Sequence, residues 1–355
     1  MTSDRDMQSC LQRMAEEVAR APQVYRPSNF WTDLNLTNSA MLDELGLKNF
    51  KRTVAQNYFN WLVIGFTDNQ FKSVLRHFLR HPTVQPFFNR MRAPDLLRTT
   101  INLESRIGSR ELFIYKLFVG MLWELAVDED WAGLTPRLEE PSVGNPIEIR
   151  RKGKLISQDL ANSIREYNAI LSADRRCAKT SKRVAELGAG YGRLGYVFQQ
   201  DGVTSYYIFD IPPALGVSQW YLSNLFPQKN IFPFRSFGSF CEIREELLKC
   251  DIAFFTPNQL ELFPEGFFDF FVSISTLPEM SLSQVNHYLG MFSRLTSGYV
   301  YLKQWSEWFN PADQIRYSKE TFKLDESWQL LYDRPDTVQS LFFERLWKRK
   351  ADRGG

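Results

Sequence analysis

Glycines and carboxylates spaced for a nucleotide cofactor lie between residues 186 and 210. Glu186 ends a short apolar run, Gly188, Ala189, Gly190 and Gly192 follow it, and Arg193 opens an amphipathic stretch. Asp210, with Ile211 next to it, ends the following apolar run. Glycine permits a tight turn and lets backbone N–H groups approach a ligand closely, and a helix N-terminus behind the turn receives its polar atoms. A carboxylate at the tip of the neighbouring strand accepts the hydroxyl protons of an adenosine ribose. Residues 183–213 are therefore predicted to form a strand–loop–helix–strand unit that binds a nucleotide-bearing cofactor.

Two cofactors satisfy this pattern. Gly190-Tyr191-Gly192-Arg193-Leu194-Gly195 spells G-x-G-x-x-G with Asp210 about 20 residues beyond its first glycine, the fingerprint of nicotinamide dinucleotides. Glu186, just ahead of the first glycine, is instead placed to meet the amino-acid end of S-adenosylmethionine. Arg193 also fits poorly in a dinucleotide loop. The residues together favour S-adenosylmethionine.

Further residues extend the candidate site. Thr256-Pro257-Asn258-Gln259 follows a third apolar run, where Asn258 and Gln259 have the donors and acceptors to pair with an adenine edge. A plain turn is the competing reading. Ser273–Met280, with Ser275 and Glu279, leaves a fourth run at the end where open α/β sheets keep their chemistry. Glu279 is the first candidate for a general base that takes a hydroxyl proton. His287 lies about two helical turns beyond Glu279 and is a second candidate base, or orients the first. Asp159, with Gln158, Asn162, Glu166 and Tyr167 nearby, puts polar groups on one helix ahead of the cofactor strand. Lys303-Gln304-Trp305 ends a fifth run, with Trp305 placed to stack on a ring or close the core. His77 and His81 read as surface or packing residues. No adjacent Asp-Asp pair or His/carboxylate cluster points to a metal.

The elements that must position these groups change character along the chain. Residues 4–20 carry Met7, Leu11, Met14 and Val18 near helical spacing. Asn49–Ile64, Asp68–Arg80 and Ser109–Val127 are predicted helices, with Pro82 stopping the second. Residues 1–130 thus read as a helical domain that covers an acceptor or mediates self-association. Residues 131–154, rich in Pro and Gly, read as a linker. Ser157 opens a helix, and residues 155–355 then alternate strand and helix, which predicts a doubly wound, mostly parallel sheet. Trp328–Tyr332 and Leu341–Lys348 follow one another without a helix, a terminal hairpin that adds an antiparallel strand. That hairpin is a feature of class I methyltransferases, and dinucleotide dehydrogenases usually lack it.

Composition narrows the function classes. The 355 residues hold 43 basic and 41 acidic side chains, so there is no electrostatic case for nucleic acid. Arg150-Arg151-Lys152 with Lys154 reads as a solvated turn. Cys10, Cys177, Cys241 and Cys250 lie far apart, which implies neither a disulfide framework nor a zinc site and fits a reducing cytoplasm. No run of about 18 apolar residues predicts a membrane span.

Several segments together resemble the sugar O-methyltransferases of the class I, S-adenosylmethionine-dependent fold. They are Ser28-Asn29-Phe30-Trp31, then Asn49-Phe50-Lys51-Arg52-Thr53 with Gln56-Asn57-Tyr58-Phe59, and then Ile156-Ser157-Gln158-Asp159-Leu160-Ala161-Asn162-Ser163. Glu186–Arg193, Asp210-Ile211-Pro212-Pro213-Ala214 and Leu277-Pro278-Glu279-Met280 continue the likeness to about residue 305. The glycine loop is shared with methyltransferases generally, whereas the Asp-Ile-Pro-Pro-Ala and Ser-Gln-Asp-Leu-Ala-Asn-Ser segments are more distinctive. The resemblance implies methylation of a sugar hydroxyl in a polysaccharide or glycosylated natural product. A nicotinamide-dependent sugar oxidoreductase and a cofactor-binding scaffold without turnover are the alternatives from other classes.

Overall fold

The computed structural model describes residues 4–58, 62–80, 108–172, 182–202 and 204–351, so His81, Pro82 and Cys177 lie outside it. Among the described residues the first helices are α1 (Asp4–Arg20), α2 (Asn29–Leu45), α3 (Ala55–Tyr58), α4 (Asn69–Arg80) and α5 (Ser109–Glu129). Met7, Cys10, Met14 and Val18 bury one stripe of α1, as its spacing requires. The α5 helix is buried on nearly every side, which explains its weak amphipathic pattern.

The helix predicted over Asn49–Ile64 does not form as one unit. Leu47–Arg52 is a 3-10 turn and α3 is a single turn of α-helix. The loop at residues 140–146 captures this stretch instead. Lys51 N–H donates to the Gly144 carbonyl, and the Arg52 side chain donates to the carbonyls of Asn145 and Pro146. The Lys51 ammonium pairs with buried Glu140. Tertiary bonds have replaced the helical ladder. Leu134, Leu138, Ile147 and Ile149 anchor residues 131–154 in the core, and this segment ends in a hairpin of β1 (Arg150–Arg151) and β2 (Lys154–Leu155).

After α6 (Gln158–Ile170), capped by the Ser157 side chain, the α/β part begins. Its elements are β3 (Lys182–Leu187), α7 (Arg193–Asp201), β4 (Thr204–Phe209), α8 (Ala214–Leu225), β5 (Ile231–Phe232), α9 (Phe240–Leu247) and β6 (Ile252–Phe255). Then come β7 (Phe268–Ile274), α10 (Leu282–Leu295), β8 (Thr296–Trp305), β9 (Glu307–Asn310), β10 (Ile315–Ser318), β11 (Trp328–Pro335) and β12 (Phe342–Arg349). Eight strands make one sheet in the order β11-β12-β8-β7-β3-β4-β6-β5. β12 pairs antiparallel with β8 and with the edge strand β11, and the other pairings in the sheet are parallel. The doubly wound sheet with a closing hairpin, expected from the sequence, is the fold of class I methyltransferases.

Successive strand residues divide between two cores, one on each face. Val184, Tyr206, Ile208, Phe254 and Val272 face the core shared with α5, α6 and the N-terminal helices. Ala185, Tyr207, Phe209, Phe255 and Phe271 face the core closed by α9 and α10. This period-two division places Glu186 on the same face as Val184, towards α6 and α7. Chain order reverses between β3 and β7, so the crevice beyond their C-terminal ends is the topological switch point.

Candidate functional site

A cavity open to solvent lies at that switch point. Glu186, Gly188, Ala189, Gly190, Arg193, Asp210, Ile211, Ser275 and Glu279 all line it, so most of the residues singled out from the sequence converge there. Gly192 caps α7 behind the loop. Asp159, Asn258, Gln259 and His287 are not on its wall.

The glycines are required by geometry. Gly188 has φ +78°, and a Cβ there would lie 2.1 Å from the Thr276 hydroxyl oxygen. A Cβ on Gly190 would lie 3.2 Å from that of Tyr58, which packs down on the loop. Asp210 ties β4 to this loop, since its carboxylate accepts from Gly190 N–H at 2.9 Å and from Ile211 N–H at 2.7 Å. The Ala189 N–H also acts on this carboxylate, which retains room for a further donor. Burial pushes Asp210 up to about 7 despite those bonds.

Glu186 accepts from the Tyr206 hydroxyl at 2.8 Å. Burial raises it to about 7, against the pull of that bond and of Arg193. The Arg193 guanidinium grips Glu166 with two bonds, at 2.5 and 3.2 Å, and donates to the Ser163 hydroxyl at 2.8 Å. Lys303 Nζ lies 3.0 Å from Glu166 and 2.9 Å from Asp336. The first residue of α7, and with it the loop, is thereby bolted to α6 and to β8. Gln304 donates to the Ser273 carbonyl, and Trp305 stacks on Trp308 and lies against Phe342, so neither reaches the cavity.

Across the cavity, Glu279 sits in a 3-10 turn after β7. Its carboxylate accepts from the Trp31 indole N–H at 3.0 Å, and its carbonyl accepts from the Ser28 hydroxyl at 2.5 Å. Burial raises Glu279 to about 8; Trp31 opposes the shift and Asp210 adds to it. Trp31 and Ser28 belong to a strap, residues 25–35, that crosses the sheet end. Gln284 holds the strap by donating to the carbonyls of Val24 and Arg26. Tyr25 donates to Glu261 and lies 2.6 Å from His287 Nε2, so the His287 ring is engaged with the strap.

The other predicted residues have partners elsewhere. Asp159 accepts from the Tyr191 hydroxyl at 2.6 Å, and burial lifts it to about 6. Asn258 donates to Glu17 on α1. Gln259 closes a capping box with Thr256 and donates to the Arg235 carbonyl. Thr-x-x-Gln is itself a capping-box signature, a signal present in the sequence. Trp31, Ser28 and Tyr58, which sequence reasoning did not assign to the site, come from far upstream and had no local signal beyond their segments of resemblance.

A nucleoside-bearing cofactor fits this wall. The hydroxyls of Tyr58 and Ser275 are buried and unpartnered on residues that line the cavity, and Ser275 holds φ +55° at the end of β7. Buried polar atoms left without partners mark places where a ligand or water completes them. No group of three or more His, Cys, Asp or Glu side chains among the described residues is arranged to hold a metal.

Four raised carboxylates at and beside the site, with Glu344 raised as well, make stability depend on pH in an unusual sense. Unfolded, Asp159, Glu186, Asp210 and Glu279 ionise near about pH 4. Folded, they keep their protons to about 6, 7, 7 and 8. Between those limits the folded chain binds more protons, so stability falls as pH rises. Glu166 is shifted the other way: burial opposes its charge, but Arg193 and Lys303 outweigh it. Its contribution is lost only in acid, below that window. Thermal unfolding should therefore show a lower Tm at about pH 8 than at about pH 5. A higher Tm at the alkaline end would refute this electrostatic picture.

No protein-family model and no curated protein matches the chain. Among solved structures, it is similar to the magnesium protoporphyrin IX methyltransferase of Synechocystis PCC 6803, crystallised with S-adenosylhomocysteine. Identity is 12%, the alignment covers 54% of this chain and 86% of that one, and the TM-score is 0.39. The Burkholderia thailandensis 1,6-didemethyltoxoflavin-N1-methyltransferase aligns at 15% identity over 53% of this chain and 79% of its own, with a TM-score of 0.37. An S-adenosylmethionine-dependent methyltransferase from Aquifex aeolicus gives 15%, 50%, 88% and 0.33 in the same order. At these scores the strand order of the sheet itself, and not the likeness, defines the fold. Among the described residues, no helix is long and apolar enough to cross a membrane.

Proposed function

We propose that this chain is an S-adenosylmethionine-dependent O-methyltransferase whose acceptor is a sugar hydroxyl. The observation that carries the reading is one cavity lined by two differently held carboxylates. Asp210 is tethered to the glycine loop, and Glu279 is buried and held by the strap.

Asp210 takes the ribose hydroxyls, and Glu186 meets the amino group of the cofactor's amino-acid end. Backbone N–H groups of the loop and the Ser275 and Tyr58 hydroxyls supply the remaining polar contacts. Ile211 and Pro257 offer apolar faces to the adenine ring. When bound, S-adenosylmethionine supplies a methyl group on a sulfonium, available for displacement by a nucleophile in line with the C–S bond.

Glu279 takes the proton of the acceptor hydroxyl as its oxygen attacks. A base raised to about 8 suits this task at neutral pH, because a stronger base accepts the proton more readily. The Trp31 indole N–H fixes the orientation of the carboxylate, and the strap keeps water from competing with the acceptor. The sugar rests on the sequence resemblance and on the neutral hydroxyl and amide groups around Glu279. Calorimetric titration with S-adenosylhomocysteine, with NADH as the competing cofactor, tests the cofactor assignment.

A further inference from the structure

A second groove leaves the cavity on the Glu279 side. It shares Pro27, Ser28 and Gln284 with the cavity wall. Its lining is dominated by short neutral polar side chains, among them Asn29, Ser281 and Ser283, and Asp313 is its one charged side chain. Asn29 donates to Asp313 at 2.8 Å, and Asn310 donates to the other Asp313 oxygen at 3.2 Å. The Ser281 and Ser283 hydroxyls lie 3.0 Å apart. This carboxylate is thus held in place by donors while each oxygen retains a free lone pair.

We propose that this groove is a subsite for a second sugar unit, so that the acceptor is a neutral oligosaccharide or the end of a polysaccharide. The proposal rests on the sugar O-methyltransferase reading and extends it. A fixed carboxylate flanked by hydroxyls and amides matches the alternating donors and acceptors of a sugar ring. Among the described residues Asp313 forms no ion pair, and its negative charge repels sulfated, phosphorylated or uronic-acid units.

Lining chemistry separates this groove from another. A groove between α1 and α2, beside Pro212 and Pro213, also shares strap residues (Arg26, Pro27 and Asn35) with the cavity wall. Leu11, Val18, Ala19, Leu36 and the prolines make it apolar, which does not suit a sugar ring. The polar groove opens beside Ser28, which bonds the Glu279 carbonyl, and Ser281 follows Glu279 closely in sequence. An acceptor whose reacting hydroxyl reaches Glu279 has its next ring on this side.

The test uses the full chain saturated with S-adenosylhomocysteine and an array of neutral glycans from single sugars to tetrasaccharides. Ser283→Trp, on an exposed first turn, fills the groove, and Asn29→Ala removes a wall donor. Binding should require at least two sugar units and weaken roughly tenfold or more in both variants. Affinity for S-adenosylhomocysteine should not change, which also shows that the variants are folded. Binding to single sugars alone, or oligosaccharide binding indifferent to Ser283→Trp, overturns the subsite but leaves the sugar reading standing. Binding to no neutral glycan overturns both.

Discussion

Glu279→Gln is expected to lower kcat about a hundredfold or more, the usual scale of a lost general base, with affinity for S-adenosylhomocysteine unchanged. The substitution keeps the shape and keeps an oxygen to accept from Trp31, but it cannot hold a proton. Only ionised Glu279 acts as base, so kcat/KM of the native enzyme should climb with pH through about 8. On the proposed reading Asp210 and Glu186 hold the cofactor in their ionised forms, so earlier inflections near 7 are expected. The residual rate of Glu279→Gln should keep those earlier inflections and lose the later one. An unimpaired variant, or one with the native pH profile, removes Glu279 from the mechanism.

Glu166→Ala should destabilise the fold by about 3–5 kcal/mol, measured by urea unfolding. Glu166 is fully buried and bridges Arg193 to Lys303. Removing it leaves two buried cations with one counter-charge fewer, and the desolvation cost then exceeds the remaining attraction. Lys303 retains Asp336, so Arg193 suffers most. Arg193 begins the helix behind the glycine loop, so cofactor affinity should fall together with stability. A loss below about 1 kcal/mol would mean that the network contributes little beyond packing.

The sheet was legible because its signal is local and repeated. Short apolar runs alternate with amphipathic ones from residue 182 onward, and the two final runs have no helix between them. The glycine loop was legible because only glycine fits against Thr276 and Tyr58 there. The Asn49–Ile64 helix failed because the partners that break it, Glu140 and Gly144 to Pro146, lie far along the chain and cannot be seen in a local pattern. Distance along the chain also hid the strap: Trp31 meets Glu279 across 248 residues. Asn258 and His287 had suitable chemistry, but Glu17 and Tyr25, both on N-terminal elements, engage them. Gln259 differs, since its capping role with Thr256 is written in adjacent residues.

The measurement closest to the central claim is a calorimetric titration of the native chain and of Asp210→Ala with S-adenosylhomocysteine and, separately, NADH. The native chain should bind S-adenosylhomocysteine at a single site and NADH not at all. Asp210→Ala should weaken that binding by ten- to a hundredfold or so, because the charged acceptor of the ribose hydroxyls is gone. NADH binding at the loop without S-adenosylhomocysteine binding would contradict the account, and so would S-adenosylhomocysteine affinity that ignores Asp210.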